Sequence, residues 1–430
     1  MVKVRQLLRG KLAQNALWMI LAKAYQMLVN LVVSMIMARY LGPSNYGLIN
    51  YAGSFASLFA SICSLGLGGI LIHELISGEE KGELMGSAIG MKLLSGVFSV
   101  VTITALAFVL NPDEPLTVTV VLIYSTTLIF RCFDVINLWH QANLNSHITA
   151  IISTAGYTIA AIYKIVLLLT QKDVRWFAAS HAVEYALVAA LLLLSYCPKG
   201  RNNQKLHFSF QTGKALCKKS YHYILSGLMV SVYGQMDRIM LKYMLGETSV
   251  GYYSAALTIC SMWPFVVAAI TDASRPVILV QHKSDVVQYE KSLIRLYGVI
   301  IYVSVAAALG ISVFSKLIIW LLYGEAYYQA QGVLCIMCWY TIFSQLGVAR
   351  SIWIVPNGKQ KYEKYIAASG AVCNLVLNAL MIPAWGVNGA AIATLVTQVF
   401  TNFIVGFFIR EIRPNNILIL KAFRFWRYLK

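Results

Sequence analysis

Charge is scarce in this sequence. Of 430 residues, 17 are Asp or Glu and 35 are Lys or Arg, so 12% are charged, against about a quarter in soluble domains. Hydrophobic residues make up 59%, and the mean hydropathy is +0.67. This balance excludes an ordinary soluble enzyme and reads as an integral membrane protein. No Walker A motif is present, so ATP drive within the chain is not expected. No carboxylate cluster sits in a sizeable outer loop, as metal or general-base chemistry in a membrane glycosyltransferase or ligase would require. The eight cysteines fall mostly inside apolar runs, as at Cys63, Cys132, Cys260 and Cys373, and suggest no disulfide framework. Cys335 and Cys338 form a lone CxxC without a second ligand pair, which reads as two small apolar residues on a helix. No cofactor or metal is expected. The first apolar run lacks a small-residue cleavage site after it and is expected to remain as a signal anchor.

What is present is a series of apolar runs of about 20 residues, each long enough to cross about 30 Å of hydrocarbon. About twelve are legible. The first six run Leu12 to Met37, Tyr46 to Leu71, Gly86 to Leu110, Leu116 to Trp139, Ile148 to Thr170 and Trp176 to Tyr196. The second six run Tyr221 to Met244, Val250 to Pro276, Leu293 to Tyr323, Ala330 to Val355, Tyr365 to Pro383 and Val387 to Arg410. The fold class expected is therefore all-α, with two six-helix bundles around a central cavity. The bundles would occupy 1–200 and 221–410, with a linker at 201–220 and a basic tail at 411–430.

The net charge of +18 raises the question of nucleic acid, and the placement of the basic residues answers it. With the N-terminus on the cytoplasmic side, Lys3, Arg5, Arg9, Lys11, Lys199, Arg201, Lys205, Lys214, Lys218, Lys219, Lys283, Lys291, Arg295, Lys359, Lys361, Lys364 and the tail all collect inside. The outer loops hold Arg39, Lys172 and Arg175. This is the positive-inside pattern, and no nucleic-acid partner is expected. The basic, amphipathic N-terminal stretch and C-terminal KAFRFWRYLK each suit an anionic inner leaflet.

An internal repeat appears when LGPSNYGLINYA, from Leu41, is aligned with LGETSVGYYSAA, from Leu245. It falls after spans one and seven, as a six-plus-six duplication requires, and six spans return the chain to its starting side. Span seven carries a small, polar stripe of Gly227, Ser231, Gly234 and Arg238, bordered by Gln235 and Asp237. The aligned positions in span one are Lys23, Met27, Asn30 and Ser34. A midplane charge costs roughly 2.5 to 3.5 kcal/mol on insertion scales, so these faces are expected to meet a wet cavity.

Further intramembrane charges are Arg131 and Asp134 in span four, Lys164 in span five, His181 and Glu184 in span six, Asp272 and Arg275 in span eight, and Arg350 in span ten. Arg131 with Asp134, one turn apart, suits mutual neutralisation as well as binding. For Lys23, Lys164 and Arg238 no acid on the same helix cancels the base. Together these residues suggest a cationic lumen and an anionic, phosphorylated cargo. Serines 54, 57, 61 and 64 share one face of span two and suit close helix packing. Pro264 lies within span eight, where a proline can kink or hinge the helix.

The stretches NALWMILAKAYQMLVNLVVSMIMARYLGPSNYGLINYA, QMDRIMLKYMLGETSVGYYSAA and IPAWGVNGAAIATLVTQ resemble the polysaccharide-transport branch of the multidrug and oligosaccharidyl-lipid exporter superfamily. The chain looks most like an O-antigen (Wzx-type) flippase, from about Leu12 to Arg410. The resemblance implies a non-enzymatic, multi-pass protein of the bacterial inner membrane with cytoplasmic termini. It implies alternating access, an undecaprenyl diphosphate-linked oligosaccharide as cargo, membrane lipids as surroundings, and a polysaccharide polymerase and chain-length regulator as partners. Substrate contact would fall to Lys23, Arg131, Lys164, Arg238 and Arg350. Ion coupling or orientation would fall to Asp134, Glu184, Asp237 or Asp272. A multidrug cation antiporter shares the fold, but this chain's midplane charge is more basic than acidic. A lipid II flippase shares the cationic lumen but typically has fourteen helices.

Overall fold

The computed structural model describes residues 2–77, 80–196 and 205–428, with the side chains of 2–17, 19, 20, 283, 425 and 428 left aside. Of the expected inner cations, Lys199 and Arg201 lie outside the described residues, as do the side chains of Lys3, Arg5, Arg9, Lys11 and Lys283 and the first four linker residues. Every regular element among the described residues is helical. Lipid offers no partner to backbone N–H and C=O groups, and a helix satisfies them within its own segment.

Nine apolar stretches among the described residues are long enough to span a bilayer, and two of these hold a pair of spans each. Helix α1 (Val2–Cys63) is interrupted at Gly42, with φ 69° and ψ 172°. Ser34 Oγ lies 2.9 Å from Tyr46 Oη, twelve residues on, a separation of about 18 Å along a straight helix. The chain therefore reverses there. Helix α15 (Glu363–Val399) is interrupted at Gly386, and a side-chain carbon at Gly389 would strike the Met381 carbonyl, which again requires reversal. Helix α9 (Phe210–Leu245), less apolar overall than the nine, adds one more rod. The described residues thus give six membrane-length rods before residue 197 and six after 209, the number expected.

The repeat is visible in the backbone. Gly246, between α9 and α10 (Glu247–Cys260), has φ 85° and ψ 174°, the conformation of its aligned counterpart Gly42. This region is open essentially to glycine alone and costs other residues about 1 to 3 kcal/mol. Gly42→Ala and Gly246→Ala should each lower stability by that amount in thermal unfolding. Gly234→Ala, inside a helix with open space at the Cβ position, should leave it unchanged.

Four spans are broken, span eight at the expected Pro264 and three others without warning, and the breaks recur in parallel. Span two stops at Ser64–Leu67 before α2 (Gly68–Ser77), and span eight stops at Ser261–Trp263 before α11 (Pro264–Ser284). Pro264 opens α11, a position where its missing N–H costs nothing. Span four is divided among α4 (Pro115–Ser125), α5 (Thr127–Phe130), a 3-10 turn (Arg131–Phe133) and α6 (Asp134–Ala142). The hydroxyls of Ser125 and Thr126 bond back to the carbonyls of Leu122 and Ile123 at 2.8 and 2.7 Å, competing with the helical ladder. Span ten breaks at Cys338–Trp339 between α13 (Ala330–Met337) and α14 (Tyr340–Ile354).

By packing the chain divides into two compact units, Met1–Ser231 and Val232–Lys430, parted within α9. The first also contains α3 (Lys81–Leu110), α7 (Ser146–Leu169) and α8 (Val174–Ser195), and its core gathers Leu71, Met85, Val135, Ile136 and Leu192. The second adds α12 (Val286–Tyr323), α16 (Val405–Phe408) and α17 (Arg413–Ala422), and its core gathers Leu293, Tyr297, Leu346, Ile352 and Ile419. Leu94, Phe98, Val101 and Phe108 of α3, and Val313, Leu317 and Leu321 of α12, are exposed, as lipid-facing residues should be.

Candidate functional site

Each unit holds a polar centre, and the two differ in chemistry. In the first unit the broken span four places Arg131 and Asp134 on the wall of a cavity of about 280 Å³, together with Ser61, Ser64 and Lys92. Lys92 comes from α3, is 7% exposed, and has no hydrogen-bond or ion-pair partner among the described residues. The guanidinium of Arg131 stands 4.9 Å from the centre of the Tyr185 ring. Asp134 feels the fields of both cations and accepts a long 3.5 Å hydrogen bond from Asn137. With two cations against one carboxylate, the cavity is net positive in surroundings that screen charge poorly. Such a cavity suits a small, multiply charged oxyanion.

Beside it, α7 and α8 are joined by a buried ion pair, with Lys164 Nζ 3.3 Å from Glu184 Oε2. Both side chains are less than a tenth exposed. No acid on its own helix cancels Lys164, as expected; its partner lies on the next helix, where sequence spacing does not reveal it. His181, one turn before Glu184, packs its ring 4.8 Å from that of Tyr124.

In the second unit Asp237 is 3% exposed and caged by neutral donors. Asn374 and Asn378, one turn apart on α15, donate their amides to Oδ1 at 2.9 and 2.5 Å. Tyr253 of α10 and Thr394 of α15 donate to Oδ2 at 2.6 and 2.8 Å. Thr394 has one hydroxyl proton, yet its oxygen is also 2.8 Å from Tyr253 Oη and 2.9 Å from the Ala390 carbonyl. The carbonyl oxygen of Asn378 is buried without a donor. This oxygen-rich cage holds one negative charge and more acceptors than protons, which suits a small monovalent cation.

Arg350, 7% exposed on α14, reaches α15's continuation. Residues Phe400–Ile404 form a π-helical turn, which frees carbonyls from the regular ladder and often marks a functional position. Arg350 donates to the Thr401 carbonyl at 3.3 Å and approaches Asn402 Oδ1 at 3.5 Å. Among the described residues no carboxylate forms an ion pair with it.

The other expected residues are more dispersed. Arg238 is half-buried and donates to Gln235 Oε1 at 3.2 Å. Lys23 is exposed on α1. Asp272 is exposed and 3.8 Å from Arg275, which also reaches Ser351 Oγ at 3.3 Å, so Asp272 does not join the Asp237 cage. Sequence reasoning missed Lys92, a lone charge in GMKLLSGVF, and the Asn374 and Asn378 pair, whose spacing of four in an apolar run was a readable signal. Ser61, expected to serve packing, bonds Ser231 Oγ at 2.5 Å within the first unit.

A bundle of membrane-length helices with broken spans and buried charged centres is the architecture of a polytopic membrane protein. The chain belongs to the polysaccharide biosynthesis protein family, whose model matches residues 12–281. It is 19% identical over 401 residues to the capsular polysaccharide biosynthesis protein CapF of Staphylococcus aureus, covering 90% of this chain and 96% of that protein. Its fold is shared by two kinds of solved structure. One is the lipid II flippase MurJ in an inward closed conformation, with TM-score 0.72, 14% identity, and 95% and 97% of the two chains covered. The other is an inward-facing multidrug resistance MATE family transporter of the MOP superfamily, with TM-score 0.70, 15% identity, and 92% and 96% covered.

Proposed function

We propose that the protein is a flippase that carries an undecaprenyl diphosphate-linked oligosaccharide, an O-antigen or similar surface polysaccharide repeat, across the bacterial inner membrane by alternating access. The observation that carries this reading, together with membership of a polysaccharide biosynthesis family, is the positive cavity of the first unit. There Lys92 and Arg131 stand ready for diphosphate oxygens. In the second unit, considered by itself, Arg238 and Arg350 are the candidates for contact with an anionic group. Asp237, caged by neutral donors, is suited to ion coupling, with sodium ion or proton as the driving species.

A multidrug cation extruder is the second reading, since its fold is shared. It fits less well. The carboxylate it would offer to a cationic drug is 3% exposed, out of reach of a molecule of that size, and the cavity of the first unit repels cations.

The direct test is complementation of a flippase-null bacterial strain, with surface polysaccharide and intracellular lipid-linked repeat units read together. Restored surface glycan and cleared intermediates support the reading; drug resistance without glycan export supports the extruder. A hydrogen bond to a charged group contributes about 1.5 to 3 kcal/mol, so Lys92→Gln or Arg131→Gln should each cut flipping roughly tenfold to a hundredfold, and the double variant should abolish it. Native export by a well-expressed double variant would remove this cavity from the pathway.

A further inference from the structure

Helix α17 follows the last span by only a few residues and presents two unlike faces. One face is buried in the second unit's core through Asn415, Asn416, Leu418, Ile419 and Ala422. Tyr297 of α12 donates to Asn415 Oδ1 at 2.6 Å. The Asn416 amide donates to the Phe403 carbonyl, inside the π-helical turn. Gly406 leaves the space Asn416 fills, since a side-chain carbon there would collide with its amide. The same turn is gripped from the opposite element by Arg350 at Thr401. The π turn thus links the tail helix to a buried arginine.

The other face is largely open. Ile417, Leu420 and Phe423, at steps of three, are each at least two-fifths exposed, and beyond them Trp426 packs against the Tyr302 ring of α12. Around them Arg413, Lys421, Arg424 and Arg427 are exposed as well. From Arg410 to Arg427 there are five cations and one acid, Glu411. A large apolar strip flanked by cations, placed where a span leaves the bilayer, is the pattern of a helix lying in the interface with its cations toward anionic headgroups. Charge complementarity selects anionic phospholipid as the occupant.

We propose that α17 docks on anionic phospholipid headgroups and, through Asn416, braces the π turn that holds Arg350, so that leaflet charge sets the position of this arginine. Asn416 is a positioning residue. Only the last step, the use of Arg350 on cargo, rests on the flippase reading; the docking and the brace do not.

The test is hydrogen exchange of the full chain in nanodiscs of phosphatidylcholine, with and without phosphatidylglycerol, followed in the segments 399–406 and 413–427. Phosphatidylglycerol should slow exchange in both segments at least about tenfold. The triple variant Lys421→Gln, Arg424→Gln, Arg427→Gln should lose both responses. Asn416→Ala, and independently Gly406→Ala, should keep the response of 413–427 and lose that of 399–406. Equal exchange in the two lipids for the native chain overturns the docking, and a triple variant that responds like the native chain does the same. A π turn indifferent to lipid while α17 responds, or unaffected by Asn416→Ala, overturns the brace. Because no glycan enters the measurement, its failure is separate from failure of complementation.

Discussion

Asp237→Asn should reduce gradient-driven transport at least tenfold while leaving a folded protein in the membrane. The carboxylate is the acceptor at the centre of four donors from two helices: the two amides of Asn374 and Asn378, and the hydroxyls of Tyr253 and Thr394. An asparagine keeps the shape but turns one oxygen into a donor, so two of those donors face an N–H instead of a lone pair. Each buried group left unsatisfied costs about 1 to 3 kcal/mol, which a well-packed helical protein withstands, but the charge proposed to attract a coupling ion is gone. The measurement is flipping of a labelled lipid-linked glycan in proteoliposomes under an imposed sodium or proton gradient. Asp237→Asn should abolish the gradient response. Asn374→Ala with Asn378→Ala, which leave the charge but open the cage, should weaken it and shift its cation dependence. Native, gradient-dependent rates in Asp237→Asn would move the coupling role to Asp134 or Glu184.

Removing one member of the Lys164 and Glu184 pair should have the largest effect on stability. Both side chains are buried, and a charge left alone in such a site costs about 3 to 5 kcal/mol. Lys164→Met should therefore lower the unfolding temperature sharply and reduce the folded protein in the membrane. The double variant Lys164→Met, Glu184→Leu removes both charges and should recover nearly native stability, since replacing a buried pair by apolar residues of similar size is often neutral. Export by this double variant decides what the pair is for. A stable double variant that exports normally makes it a structural joint between α7 and α8; a stable one that fails makes Lys164 the substrate contact first expected of it. A single variant as stable as the native chain would contradict the buried pairing itself.

Several local features were readable because their causes are local. The Leu-Gly turns at 41–42 and 245–246 announced both the reversal and its repetition, since a backbone at φ 69° or 85° with extended ψ admits little but glycine. Pro264 announced an interruption and stands at one. Asp237 announced itself as a charge in an apolar run. The breaks in spans two, four and ten were not legible, because short turns inside an apolar stretch leave its hydropathy unchanged. Lys92 escaped notice because one charge in an otherwise apolar span has no meaning until a neighbouring helix brings Arg131 and Asp134 beside it.

The sequence by itself determined that this is a helical membrane protein, how many times it crosses, where it turns, and that it duplicates a six-span plan. These follow from hydropathy, from helix length against bilayer thickness, and from the conformational limits of single residues, all of which act along the chain. Only the tertiary structure decided which groups each buried charge meets. Lys164 was neutralised by Glu184 from the next helix, Asp237 was caged by asparagines more than a hundred residues away, and Arg350 was bound to carbonyls of a π turn. In a bilayer, apolar surface gains little by leaving lipid, so polar groups and close packing choose the helix neighbours. The worth of a buried charge is then fixed by whatever lies within a few ångströms across a helix interface, and sequence spacing does not record that distance.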